Sequence, residues 1–498
     1  MSDLRTKMSM ILLLLLMVTS VAAEDIVVQR GCRRGTPRPE SMRLRRGGSE
    51  ERLPGGDFYH GERHQLTVLV AFNDRPFVGD ETATLTQWNK IFNTKNLMED
   101  PFKGSVHDYF FDQSYGDFSI IFDLIYVQVS DDAEKYASTW SDDENSQYLV
   151  EDVMEELLKR DIDWSLYDWN DDGYINQLLI IYAGNGMHDS SGSNLIWPHQ
   201  WWMSEHLKDR QEGVYCEPIP VSSGDKDYLV DCYCALNELT KNGDYGSFGT
   251  ICHEYTHCFG FPDFYYSGGK TVNDWDLMDY GNYNGDGYLP PGYSAHERWL
   301  MGWLIPIVLD ETTTITDMPA LAEEGRAYLI RNDGCENEYY IVENRQPMWW
   351  DAGLPSSGIL VFHIEFDPSI WTSTKIAPNS SSRKRYELFH ANNKTSAYQR
   401  ADWPYPYQEN NSLTNTSSPA ATLNNENSDG TKLMSKPITN MAVNNGLASF
   451  DFTVTTTGLC SQPSSLGLRP TVLYRFGPID VVRTADGKIQ KVVRRPLD

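Results

Sequence analysis

Residues 253 to 263 read His-Glu-Tyr-Thr-His-Cys-Phe-Gly-Phe-Pro-Asp. On a helix, His253 and His257 stand four residues apart on one face, so both imidazoles can reach a single metal ion. Glu254 then lies beside that ion, where its carboxylate can take a proton from a bound water. Gly260 permits a left-handed turn and Pro262 cannot continue the helix, so the chain swings away there and brings up Asp263 as a third ligand. A bare His-Glu-x-x-His arises by accident in a chain this long with odds of roughly one in a hundred, and the fixed offsets of Gly260 and Asp263 lower those odds further. Two imidazoles, one carboxylate and a water suit four-coordinate zinc, and the chemistry such an open site suits best is hydrolysis of a peptide carbonyl.

The elements that must position these residues can be read from periodicity. Leu66 to Phe72 is a short apolar run and predicts a buried strand; Thr84 to Phe92 predicts a helix. Ser105 to Gly116 has a capping Ser and a terminal Gly, which frame another helix, and Phe118 to Val127 returns as a strand. Leu149, Val150, Val153, Leu157 and Leu158 form one helical stripe; Ile175 to Ala183 and Tyr228 to Ala235 predict further strands. Ser247 or Thr250 is expected to cap the metal helix. Beyond Trp303 helical patterns fade into strand-like segments at Tyr328 to Arg331, Tyr339 to Glu343, Gly358 to Glu365 and Leu447 to Val454. An α/β layer supporting the site, followed by a β-rich domain, is the expected architecture.

Composition bounds the compartment and the partners. Arg5 and Lys7 precede the apolar run Met10 to Val18, and Val21-Ala22-Ala23 supplies small residues before Glu24, the pattern of a signal peptide over residues 1–23. The segment is short for an ordinary membrane span, and no later stretch is apolar for long enough, so the mature protein is expected to be secreted without membrane insertion. Net charge is -28, and because residues 1–53 are basic on balance the remainder is more acidic still, a surface that repels nucleic acid. With 14 Trp and 28 Tyr the chain has ample material for a core, and its 498 residues suggest two or three domains. Residues 24–62 read as an exposed prosegment or leader, 63–304 as the catalytic domain, 305–456 as the β-rich domain and 457–498 as a linker and short tail. Eight cysteines are too few for a disulfide scaffold, and Cys252 and Cys258 read as helix packing.

Downstream of the histidines, Asp274-Trp-Asp-Leu-Met278-Asp-Tyr280-Gly281 completes a pattern that resembles the metzincin metalloproteases, which pair His-Glu-x-x-His-x-x-Gly-x-x-His or Asp with a later turn whose Met lies beneath the metal. Within them the chain is similar to the M6, immune-inhibitor-A-like family of secreted proteases. The likeness extends to Leu66–Asp74, Tyr109-Phe110 with Ser114-Tyr115-Gly116, Leu300-Met-Gly-Trp303, and Glu343-Asn344-Arg345-Gln346 with Gly358–His363, covering roughly residues 64 to 455. It implies a metzincin-like α/β catalytic domain with a twisted sheet, an active-site helix and a Met turn. It also implies an extracellular zinc endopeptidase, acting on protein substrates and made as a zymogen with a signal and prosegment. Met278 matches the turn Met. Tyr280 lies where some metzincins place a Tyr near the metal, either to stabilise an oxyanion or as core packing. The competing zincin arrangement takes its third ligand from a later helix; Glu297 is the candidate there, but Met301 stands where the usual Asp would follow.

Two further features are candidates only. Asp168, Asn170, Asp172, Tyr174 and Asn176, with Gly173 sixth, match the first half of a calcium loop; an Asn/Asp/Gly turn is the alternative, and Leu179 stands where the bidentate Glu belongs. Cys32 in Arg30-Gly31-Cys32-Arg33 could block the zinc in the zymogen, as a prosegment Cys does in some metzincins, against an unpaired or bridged leader cysteine. The other function consistent with this fold is a secreted binding or adhesion protein with a vestigial site, although binding alone does not need Glu254.

Overall fold

The computed structural model describes residues 57–454 except 138–144, 189, 191–194, 210–212, 247, 266–270, 372–376 and 395–396, together with the backbone of three later strands. The signal segment, most of the leader and Cys32 lie outside the described residues.

The first apolar runs become a five-stranded sheet. Its strands are β1 (Gly61–Ala71), β2 (Phe118–Gln128), β3 (Leu178–Asn185), β4 (His199–Trp202) and β5 (Cys232–Leu239), in the order β2-β1-β3-β5-β4. All neighbours are parallel except β4, which runs antiparallel to β5 at one edge. Parallel strands need crossovers, and α1 (Glu81–Asn93), α2 (Val106–Gln113) and α3 (Ser146–Leu157) provide them. Asp80 caps α1, and Ser105 with Asp108 forms the capping box of α2. The open edge of β2 is blocked by side chains rather than by another strand. Asn93 from the end of α1 donates to Phe122 O and accepts from Phe122 N, and Arg160 donates to Tyr126 O. An amide that imitates a peptide group in this way leaves fewer edge groups for a second chain to pair with.

Two expected strands prove to be divided. Tyr228 to Ala235 breaks at Asp231, whose carboxylate accepts hydrogen bonds from Ser204 N and Oγ, so Lys226–Val230 joins a small separate sheet while β5 joins the main one. Ile175 to Ala183 breaks at Asn176 and Gln177, where Asn176 Oδ1 accepts from Trp169 N. In both places a polar side chain turns to a backbone donor and ends the ladder.

After the metal helix α4 (Phe248–Cys258) and the short α5 (Ala295–Leu300), the chain is mostly strand and loop. Strands β6 (Thr313–Met318), β7 (Tyr328–Asn332), β8 (Cys335–Arg345), β9 (Gly358–Glu365), β10 (Tyr386–Leu388), β11 (Ile438–Asn444) and β12 (Leu447–Phe452) form two antiparallel systems, β7-β8-β9-β10 and β6-β12-β11. The period of two along β7 to β9 sends alternate residues to opposite faces. Leu329, Tyr339, Ile341, Leu360, Phe362 and Ile364 pack into the core that also holds Leu66, Tyr255 and Met278. Tyr328, Ile330, Tyr340, Val342, Ile359 and Val361 pack into a second core with Met318, Phe450 and Phe452. Residues up to Thr455 form one compact unit, so the change to β-rich structure near residue 305 coincides with no gap in packing. The second unit, from Thr456 on, includes three antiparallel strands, Thr471–Phe476, Ile479–Arg483 and Ile489–Val493, in a stretch expected to be linker and tail.

A buried charge pair spans the second sheet. His363 Nε2 lies 2.7 Å from Glu338 Oε1, and its Nδ1 3.1 Å from Glu387 Oε1. Burial alone would pull the imidazole's pKa down, but these carboxylates lift it to about 9. Burial pushes Glu338 up, but His363 and the backbone N–H of Asn424 outweigh it and hold the carboxyl at about 2. The imidazolium's contribution to stability is complete below its ordinary value of 6.5 and is lost as pH rises through about 9. The carboxylate's is complete above 4.5 and is lost as pH falls toward about 2. His363→Gln should therefore cost about 3 kcal/mol at pH 6, because it removes the charged partner of the buried Glu338 carboxylate and leaves it only the neutral donors of Asn332, Asn424 and Asn425. Urea unfolding checks this, and a variant as stable as wild type at pH 6 contradicts it.

Candidate metal centre

Helix α4 is buried along its whole length and packs on β4, β5 and α2. It begins at Phe248, which places Thr250 inside the helix rather than at its cap; Ser247 lies outside the described residues. Gly249 lies so close to the turn at Gly281–Tyr283 that a Cβ there would stand 1.9 Å from Asn282 O. Gly260, at φ 96°, turns the chain after the helix, with its N–H bonded to His257 O at 2.8 Å.

The residues singled out by the motif come together. His253 Nε2 and His257 Nε2 each lie 3.3 Å from Asp263 Oδ1, and all three side chains are buried. These three atoms have no hydrogen-bond partner among the described residues. His253 Nδ1 lies 2.7 Å from Leu277 O and His257 Nδ1 lies 2.7 Å from Phe261 O. A carbonyl only accepts, so each Nδ1 carries a hydrogen, which leaves Nε2 as the atom of each ring that faces Asp263 and is placed to meet an ion. Burial pushes the Asp263 carboxyl up, but the facing imidazoles of His257 and His253 outweigh it and hold it at about 2, so the group is a carboxylate.

These spacings test the fit to zinc directly. Ligand atoms about 2.0–2.1 Å from a tetrahedral ion are about 3.3–3.4 Å from one another. The observed 3.3 Å edges meet that value, whereas calcium takes six to eight oxygens at about 2.3–2.6 Å. Among the described residues this is the one group of three His, Cys, Asp or Glu side chains placed to share an ion.

The other candidates fall elsewhere. Met278 is fully buried, its carbonyl accepting from Phe264 N at 2.8 Å, which ties the turn to the segment after Asp263. Tyr280 is buried, with its ring 6.2 Å from those of Tyr265 and Tyr283. Glu254, next to His253 on α4, is fully buried. Glu297 is engaged in the capping box of α5: its Oε2 accepts from Ser294 N at 2.7 Å, and it is not grouped with the histidines. The calcium reading of the loop at Asp168 finds no support. Asp168 accepts from the backbone N–H groups of Asp172 and Gly173, Asp172 from that of Tyr174, and Asn176 from that of Trp169. These side chains stabilise an Asx-type turn that includes Asn170, and among the described residues neither Asp168 nor Asp172 belongs to a group of three His, Cys, Asp or Glu placed to share an ion. The six described cysteines form no disulfide, and burial pushes the Cys252 and Cys258 thiols up, as suits packing groups. No described helix is long and apolar enough to cross a membrane.

Several residues that hold the site together were not singled out by sequence. Asp279 Oδ2 accepts from Thr271 N, Val272 N and Asn273 N, and Asp276 Oδ1 accepts from Met278 N, so two carboxylates fold the turn. Asn379 donates to Phe264 O and Thr271 Oγ1 across more than a hundred residues. Both aspartates sit in the quoted Met-turn segment, and a carboxylate in a turn is a signal for backbone capping; Asn379 carries no local signal.

Residues 64–301 match the family model for the immune inhibitor A peptidase M6 catalytic domain. No curated protein matches the chain. With the metal-type triad lying inside the matched segment, residues 64–301 are a catalytic domain of the M6 family of metalloproteases. Asp263→Ala should reduce bound zinc, measured by mass spectrometry of dialysed protein, from about one equivalent to a small fraction, while Glu297→Gln retains it. The opposite pattern would move the third ligand to α5.

Proposed function

We propose that this chain is a secreted zinc-dependent endopeptidase that hydrolyses peptide bonds of protein substrates, with Glu254 as general base. The observation that carries the reading is that His253 Nε2 and His257 Nε2 each lie 3.3 Å from Asp263 Oδ1, the edge length of a zinc tetrahedron, inside the segment that matches the M6 model. His253, His257 and Asp263 would hold the ion. When bound there, zinc supplies Lewis acidity and makes a water acidic enough to react near neutral pH.

The chain's own residues account for the rest. The carbonyls of Leu277 and Phe261 fix both imidazoles, so neither ring must reorganise during reaction. Glu254 accepts the proton of the attacking water and returns it to the leaving nitrogen, as its place beside His253 on α4 allows. Tyr280, at the edge of the Met turn, is the candidate donor to the developing oxyanion. Residues 1–23 would direct export and 24–62 would form the prosegment, with Cys32 its candidate blocking thiol. A secreted adhesion protein on this fold would have no use for Glu254, and no observation favours it.

Glu254→Gln should lower kcat/KM on an unfolded protein by about 10²–10⁴-fold while leaving zinc content unchanged. A chelator should abolish wild-type cleavage and added zinc restore it. Cleavage indifferent to both treatments would remove the reading.

A further inference from the structure

Beneath the Met turn, a line of side chains joins three segments that are far apart in sequence. Asp276, on the turn, gives Oδ1 to the backbone N–H of Met278 at 2.8 Å. Its Oδ2 lies 2.7 Å from the hydroxyl of Tyr386 on β10. That hydroxyl is 2.8 Å from Ser294 Oγ, which is 3.0 Å from Glu297 Oε2 at the start of α5. All four residues are fully buried.

Three oxygen-to-oxygen contacts at these distances need three hydrogens, and two hydroxyls bring only two. The neighbouring N–H groups are directed to other positions: Met278 N–H to Asp276 Oδ1, Ser294 N–H to Glu297 Oε2, and Glu297 N–H to Ser294 Oγ. The third hydrogen therefore belongs to a carboxyl group. Were both acids ionised, one oxygen pair would meet lone pair to lone pair, and Glu297 Oε1, which has no hydrogen-bond partner among the described residues, would carry buried charge.

The surrounding charges agree. Arg345 on β8 faces both acids, but its guanidinium is engaged by Asp351 at 2.5 and 2.7 Å and by Glu343 at 3.1 Å. Asp279 adds negative charge from the same turn. His296 on α5 is held neutral by burial, at about 3, and burial keeps the Tyr109 and Tyr293 hydroxyls facing Glu297 protonated. Burial pushes Asp276 up to about 7 and Glu297 well above the carboxylate range.

We propose that Tyr386 is a positioning residue of the metal centre. With Ser294 it links Asp276 to Glu297 in a chain that holds one carboxyl proton, and this chain fixes the turn whose Leu277 carbonyl orients His253. The catalytic consequence rests on the peptidase reading above; the proton count does not.

Asp276→Asn separates the two claims. Its amide keeps an acceptor for Met278 N–H and offers an N–H to Tyr386, so the amide and the two hydroxyls supply all three hydrogens and Glu297 no longer needs a proton to complete the chain. In wild type the folded chain keeps a proton that an unfolded carboxyl releases above its ordinary 3.8, so stability is lost as pH rises from there through about 7. Thermal midpoints measured from pH 5 to 8 should fall more steeply for wild type than for Asp276→Asn, the difference corresponding to about one proton. Parallel curves overturn the proton count whether or not the protein cleaves anything. Tyr386→Phe keeps the ring stacked on Phe264, 3.9 Å between centroids, and removes the hydroxyl. Its zinc Kd, read by competition with a chromophoric chelator, should weaken about tenfold, and kcat on a protein substrate should fall by a similar factor with KM nearly unchanged. A Phe variant with wild-type zinc Kd and kcat overturns the positioning role.

Discussion

The hydrogen bond from His253 Nδ1 to the carbonyl of Leu277 is the contact on which the site depends. It fixes which ring nitrogen faces the ion site, and it does so with a backbone atom rather than another titratable group, so the ring is oriented without a compensating charge. The contact spans 24 residues, and it is only as rigid as the turn that presents the carbonyl. The turn that follows it, Gly281–Tyr283, is pressed against α4 with no room for a side chain at Gly249. Helix and turn are thus one object, and the second histidine and Asp263 complete it through the short excursion at Gly260.

The turn in turn depends on acids that are not at the metal. Asp279 collects three backbone N–H groups and Asp276 one, which is how carboxylates can be buried beside an electronegative site at tolerable cost. Farther out, Arg345 gathers Glu343 and Asp351 and donates to Gly292 O, stitching β8 to the segment that leads into α5. Polar contacts at the centre of this protein therefore run between secondary-structure elements and leave strands and helices to be held by apolar burial.

What could be read in advance follows from range. The metal helix, its two imidazoles and the Gly260 turn are local, and periodicity with two well-placed ligands sufficed to place them. Strands β1, β2 and β9 were similarly legible, because buried runs bounded by turn residues carry a strong short-range signal. The divided strands were not, since a single Asp231 or Asn176 that turns to a distant or sideways donor leaves an apolar run looking continuous. The loop at Asp168 was ambiguous for the opposite reason: the same spacing of carboxylates serves a cation or a set of backbone N–H groups, and only coordinates distinguish them. Tyr386 stands more than a hundred residues from the turn it meets and looks, in sequence, like any core tyrosine.

The two-faced sheet β7 to β10 has a consequence for how this protein can be divided. The family match ends at Met301, yet the core that seats the metal helix continues through Ile341, Phe362 and Trp403. A chain cut at that boundary would be left with an unwalled interior, an apolar surface of the kind that drives aggregation rather than a smaller enzyme. The matched segment is a unit of descent, while the unit of folding is longer, and the strands beyond it are as much a wall of the active centre as an appendage to it.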